Sequence, residues 1–103
     1  MSLSTKLQKE IAKALTALAP GIPYADAEAV RAHAASRHFR SYPPGISAWL
    51  SLVAHIRHHH TDYDAMLADG YDAASARHFV LNATNEVLTR WRATRFLDAD
   101  ETV

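Results

Sequence analysis

The run from Ser47 to Gly70, SAWLSLVAHIRHHHTDYDAMLADG, decides how this chain folds, because its apolar half and its polar half meet at four histidines. Read as one helix, it puts Trp49, Val53, Ile56, His60, Tyr63 and Leu67 on a single face at spacings of three and four. Read as two, it breaks at Thr61, which caps a short second helix ending at Gly70, with Asp64 three residues on in the position of a capping box. Charge favours the break. Arg57 and His58 to His60 then lie at a helix C-terminus and Asp62 and Asp64 at a helix N-terminus, each with the sign the helix dipole prefers.

Outward from this junction the pattern stays helical. With only 3 glycines and 4 prolines in 103 residues and abundant alanine, apolar residues recur at three and four and no strand is expected. A first helix is predicted from about Ser4 to Ala19 on the stripe Leu7, Ile11, Leu15 and Leu18, closed by Pro20-Gly21. A second is predicted from Tyr24 to Phe39 after Pro23, and Tyr42-Pro43-Pro44-Gly45 breaks the chain before a third helix capped by Ser47. A fourth opens at Asp72 and carries Ala76, Val80, Ala83, Val87 and Trp91 to about Arg95. The acidic tail from Asp98 to Val103 lacks a core pattern and is expected to fray.

The fold class that follows is all-α: a compact bundle of four main helices and a short one from Thr61 to Ala68, forming a single domain over residues 1–103. Its expected core is Leu7, Ile11, Leu15, Val30, Leu50, Val53, Ile56, Leu67, Phe79, Val80, Val87 and Trp91.

Composition narrows the function classes. Eleven basic and eleven acidic side chains balance, so no overall field draws the chain to nucleic acid or an anionic membrane. The absence of cysteine excludes disulfides, thiolate metal sites and a cysteine nucleophile, and fits a cytoplasmic protein. No apolar run approaches the roughly 20 residues of a membrane-spanning helix, so no membrane partner is expected. A phosphate-cradling glycine loop and a nucleophile elbow are both missing.

Three kinds of chemistry remain. His55, His58 and His59 stand at i, i+3 and i+4 on one side of a helix, and Asp62 or Asp64 could complete a metal site with them. Against it, the glutamate of a His-Glu-x-x-His motif is missing, adjacent histidines cannot share a face and exposed histidines are common; no metal or other cofactor is therefore expected. Asp62 or Asp64 with a histidine could serve acid and base catalysis, which needs hydrogen-bond contact in a cleft.

The third reading rests on charge. From Ala29 to Thr61 there is no acidic residue, while Arg31, Arg37, Arg40, Arg57 and six of the seven histidines fall there, interleaved with Phe39, Tyr42 and Trp49. Such a surface suits a phosphate-bearing ligand or a nucleic-acid backbone. The structural alternative is pairing with carboxylates of neighbouring helices, which contributes little when exposed. Arg77, a cation in the first turns of its helix, calls for a partner such as Asp62 or Asp64.

Ile56-Arg57-His58, Thr61-Asp62-Tyr63-Asp64, Leu67, Ala76-Arg77, Val87-Leu88 and Trp91-Arg92 together resemble an uncharacterised family, domain of unknown function 2293, over about residues 46–92. The resemblance implies residues rather than an activity. It points to Arg57, His58, Thr61, Asp62, Tyr63, Asp64 and Arg77 as candidate ligand-binding positions, and leaves His59 and His60 as bystanders. These residues could equally form a buried polar network holding two helices in register.

The leading expectation is a non-catalytic binding module for an anionic partner, nucleic acid among them, with Arg57, His58 and Arg77 supplying charge. A metal-assisted hydrolase using His58, Asp62 and Asp64 is the alternative, and a protein interaction domain, as a homodimer, a third.

Overall fold

The computed structural model describes the backbone of residues 2–101 and the side chains of residues 5–101. Six helices follow one another: α1 (Ser2–Leu18), α2 (Tyr24–Ala34), α3 (Pro44–His60), α4 (Tyr63–Ala68), α5 (Ala73–Phe79) and α6 (Leu81–Arg90), with one 3-10 turn at Arg37–Phe39. No strand occurs among the described residues, and no helix there is long and apolar enough to cross a membrane. The all-α class is as expected from the spacing.

α3 is the central element. It packs against α1, α2 and α6, and Ser47, Ala48, Trp49, Ser51, Leu52, Val53, Ile56 and Arg57 are all buried on it. A helix covered on several sides needs apolar residues around most of its circumference, which this run supplies. Leu15, Val30, Leu52, Val53, Ile56, Val87, Leu88 and Trp91 make the main core. Tyr63, Ala76 and Val80 form a smaller one between α4 and α5.

Several boundaries differ from the sequence expectation. α2 stops at Ala34 rather than Phe39, because Ser36 turns extended (ψ 164°) and the 3-10 turn brings Phe39 inward against His33, His38 and Tyr42. α3 begins at Pro44, where a first-turn proline sacrifices no hydrogen bond. Ser47 therefore lies inside the helix, and its hydroxyl donates to the Phe39 carbonyl (3.3 Å) instead of capping.

The predicted fourth helix is two. Val80, at φ −97° and ψ 8°, interrupts it, and the Thr84 hydroxyl donates to the Val80 carbonyl (2.8 Å). Back-bonding of this kind bends helices. The bend turns Phe79 outward, so it is 62% exposed against Tyr71 rather than buried. Leu7, Leu50 and Leu67 are half-buried, and the remaining eight expected core residues are buried.

The C-terminal segment overturns the expectation of a frayed tail. Leu97 is buried, and the Asn85 side chain holds its backbone at both ends, donating to the Leu97 carbonyl (3.0 Å) and accepting from its N–H (2.8 Å). Thr94 donates from its N–H to the Leu18 carbonyl and from its hydroxyl to that of Ala17, satisfying the open end of α1. Trp49 donates its indole N–H to Glu101 (3.2 Å), and the Arg95 guanidinium lies 4.1 Å over the same ring. Thr102 and Val103, the rest of that tail, lie outside the described residues.

Candidate functional site

The chain breaks after His60. Thr61 adopts an extended conformation (φ −138°, ψ 175°), its hydroxyl donates to the Arg57 carbonyl (2.6 Å) and accepts from the Tyr63 N–H (3.2 Å). One side chain thus closes α3 and opens α4. Asp62 occupies the N-cap position of α4 without a side-chain cap bond and is exposed. Asp64 is drawn away from any capping box: its carboxylate accepts from His58 Nδ1 at 2.5 Å, in an exposed pair.

The seven candidate residues therefore separate into different roles. Tyr63 belongs to the smaller core, with the His58 ring edge-on to it and the Arg57 guanidinium 5.9 Å from its centroid. Arg57 itself is 96% removed from solvent, at 4% exposure. Burial and the neighbouring Arg77 lower its pKa, and Tyr63 and Glu101 oppose them; an arginine so placed stays charged.

Arg77 does not pair with Asp62 or Asp64. It comes from α5 to line a cleft of about 140 Å³ together with Arg57 from α3, His78, and Asp98, Asp100 and Glu101 from the tail. Two cations meet three acids there. Asp98, Asp100 and Glu101 were missed in the sequence because nothing local ties an acidic tail to an arginine forty residues earlier.

The histidines form a second constellation. α2 and α3 run antiparallel, so the first turn of α2 faces the last turn of α3, and Asp26 accepts on Oδ1 from His55 Nε2 and from His60 Nε2, each at 2.7 Å. The carboxylate can only accept, which fixes both imidazoles as Nε2–H donors. Burial raises the Asp26 pKa, and the hydrogen bonds and charges of His55 and His60 outweigh it, leaving the carboxyl below its ordinary value. His59 packs on His55 (centroids 4.6 Å), and His60 stands edge-on to Trp91 (5.2 Å).

The set His55, His58, His59 and Asp62 is not assembled, since His55 turns to Asp26 and His58 to Asp64. His60, set aside in the sequence reading, bonds to Asp26. Asp26, the residue missing from the sequence reading, is explained by its place in the first turn of α2, where an acid is expected for dipole reasons alone. Only the hairpin of α2 and α3 gives it a second role.

The family profile described as an uncharacterized conserved protein (DUF2293) matches residues 14–92, and the chain belongs to that family. The match runs from within α1 to the turn after α6, so it takes in Asp26 and the α2–α3 hairpin as well as the α3–α4 junction. No curated protein and no solved structure matches the chain.

Proposed function

We propose that this chain is a non-catalytic binding module that seats an anionic group of a partner, with the phosphates of a nucleic acid as the partner chemistry, at the Arg57 and Arg77 cleft. The observation that carries the reading is the convergence of two guanidinium groups from α3 and α5 on one cleft. Two like charges brought together with loss of hydration repel each other, and nearby carboxylates offset that repulsion. Planar guanidinium groups suit phosphate and carboxylate geometry. In the free chain Asp98, Asp100 and Glu101 line the same cleft and supply the opposing charge, so a ligand would compete with the tail. His58, held by Asp64, adds little net charge. The lack of cysteine is in keeping with a chain that works in the cytoplasm.

Retardation of short single- and double-stranded DNA at low salt tests the reading. Arg77→Ala, on a half-buried side chain, is expected to weaken binding about tenfold and to reduce the salt dependence by roughly one counterion. Glu101→Gln, by weakening the competitor, is expected to tighten it. Absence of retardation at low salt would sink the proposal.

A further inference from the structure

We infer that Asp26, His55 and His60 form a binding site for a divalent metal ion of the zinc class. Their ligand atoms, one carboxylate oxygen and two imidazole Nε2, lie within 4.8 Å of one another. Zinc bonds to such atoms at about 2.0–2.2 Å, which sets tetrahedral ligand atoms roughly 3.3–3.5 Å apart, so each imidazole nitrogen draws back from Oδ1 by about 0.6–0.8 Å from its present 2.7 Å contact, a shift within reach of side-chain rotation. Two helices fix the set: Asp26 on α2, and His55 and His60 on α3.

The side chains are largely withdrawn from water, at 18% exposure for Asp26, 10% for His55 and 30% for His60, which limits hydration of an incoming ion. The rings are also held from behind, His55 by His59 and His60 by Trp91. Pre-set rings lose little freedom on ligation.

Two imidazoles and one carboxylate, with no thiolate, select a borderline cation such as zinc, cobalt or nickel over calcium, which takes six or more oxygens. Three protein ligands leave a fourth tetrahedral position for water. Each neutral imidazole now carries its proton on Nε2, and ligation requires the tautomer with the proton on Nδ1. The proton leaves Nε2 and returns at Nδ1 through solvent, so a neutral ring gains or loses none overall. His55 also lines a groove of about 220 Å³ with His33, His58 and His59, which gives the site an approach from solvent. This site shares no residue with the arginine cleft, and its test is independent of the one above.

The test is titration of chelator-treated chain, free of any affinity tag, with zinc chloride by calorimetry and thermal melting, then with cobalt(II) for the visible bands of a tetrahedral nitrogen and oxygen site. One ion per chain and a raised melting temperature are expected. Asp26→Asn and His60→Ala should each weaken zinc by at least ~10-fold, while His58→Ala, which removes a ring bonded to Asp64 and not to the set, binds as the parent does. His60 ends its helix and meets the core only at the edge of Trp91, so its replacement keeps the test decisive if Asp26→Asn misfolds. No saturable zinc uptake would overturn the inference. So would loss of binding in His58→Ala with retention in His60→Ala, which would mark an adventitious histidine run.

Discussion

Asp72 and Asp26 are both acids at the N-terminal end of a helix, and their difference shows what one side chain can reveal. Asp72 is local: its carboxylate accepts from the Ser75 N–H (2.8 Å), the N-cap its sequence position implies. Bonds from the Ser75 backbone and hydroxyl hold its pKa below 3.8. A depressed carboxyl stabilises the fold fully above its unfolded pKa and loses that contribution as pH falls through the folded value. Asp72→Asn keeps a capping oxygen but cannot titrate, so its stability should match the parent at neutral pH and fall less between about pH 5 and pH 2. Urea unfolding across that range checks it, and parallel acid limbs would refute it. Asp26 was not legible in the same way, because its histidine partners lie twenty-nine and thirty-four residues away.

At the scale of elements, the legible features were those that chemistry writes locally. Thr61 was read as the break, Gly70 as a helix end, and both hold. The bend at Val80 was hidden because Ala76, Val80 and Val87 keep helical spacing straight through it. The ends of α4 and α6 form a natural pair. After α4, Gly70 N–H bonds to the Leu67 carbonyl and Tyr71 N–H to that of Met66; after α6, Arg92 N–H bonds to Thr89 and Ala93 N–H to Leu88. Both are Schellman turns, which want a left-handed residue at the same position. Gly70 supplies it at φ 98°, whereas Arg92 is forced there at φ 59°. Relief of the side-chain clash in Arg92→Gly, less the extra entropy of glycine, should stabilise the fold by about 0.5 kcal/mol, or roughly 2–4 °C. A melting point unchanged or lowered would show that the Arg92 side chain itself contributes packing, against Gly21 for example.

For the whole molecule, the sequence pointed to helices around a central α3 but not to what closes them. Asp98 to Glu101 looked like solvent-facing acid because no apolar repeat runs through it, and the buried apolar residue beside it, Leu97, is a single one. Its burial at 4% exposure says otherwise. Leu97→Ala should cost about 2–3 kcal/mol and shift tryptophan emission to longer wavelength as the Trp49 contacts to Glu101 and Arg95 loosen. Unchanged emission with intact stability would mean that the segment does not hold the bundle. The arginine cleft belongs to this scale too, since it exists only where α3, α5 and the tail meet.

The order of synthesis gives that closing segment a further meaning. All six helices leave the ribosome before Leu97 and Glu101, so a nascent chain ending at Arg90 has its α1 carbonyls, its Asn85 amide and its Trp49 indole without their final partners. Long-range closure by this segment follows the helices in time as well as in sequence. A nascent chain that has exposed α6 but not yet Glu101 is therefore an open bundle within reach of chaperones and proteases.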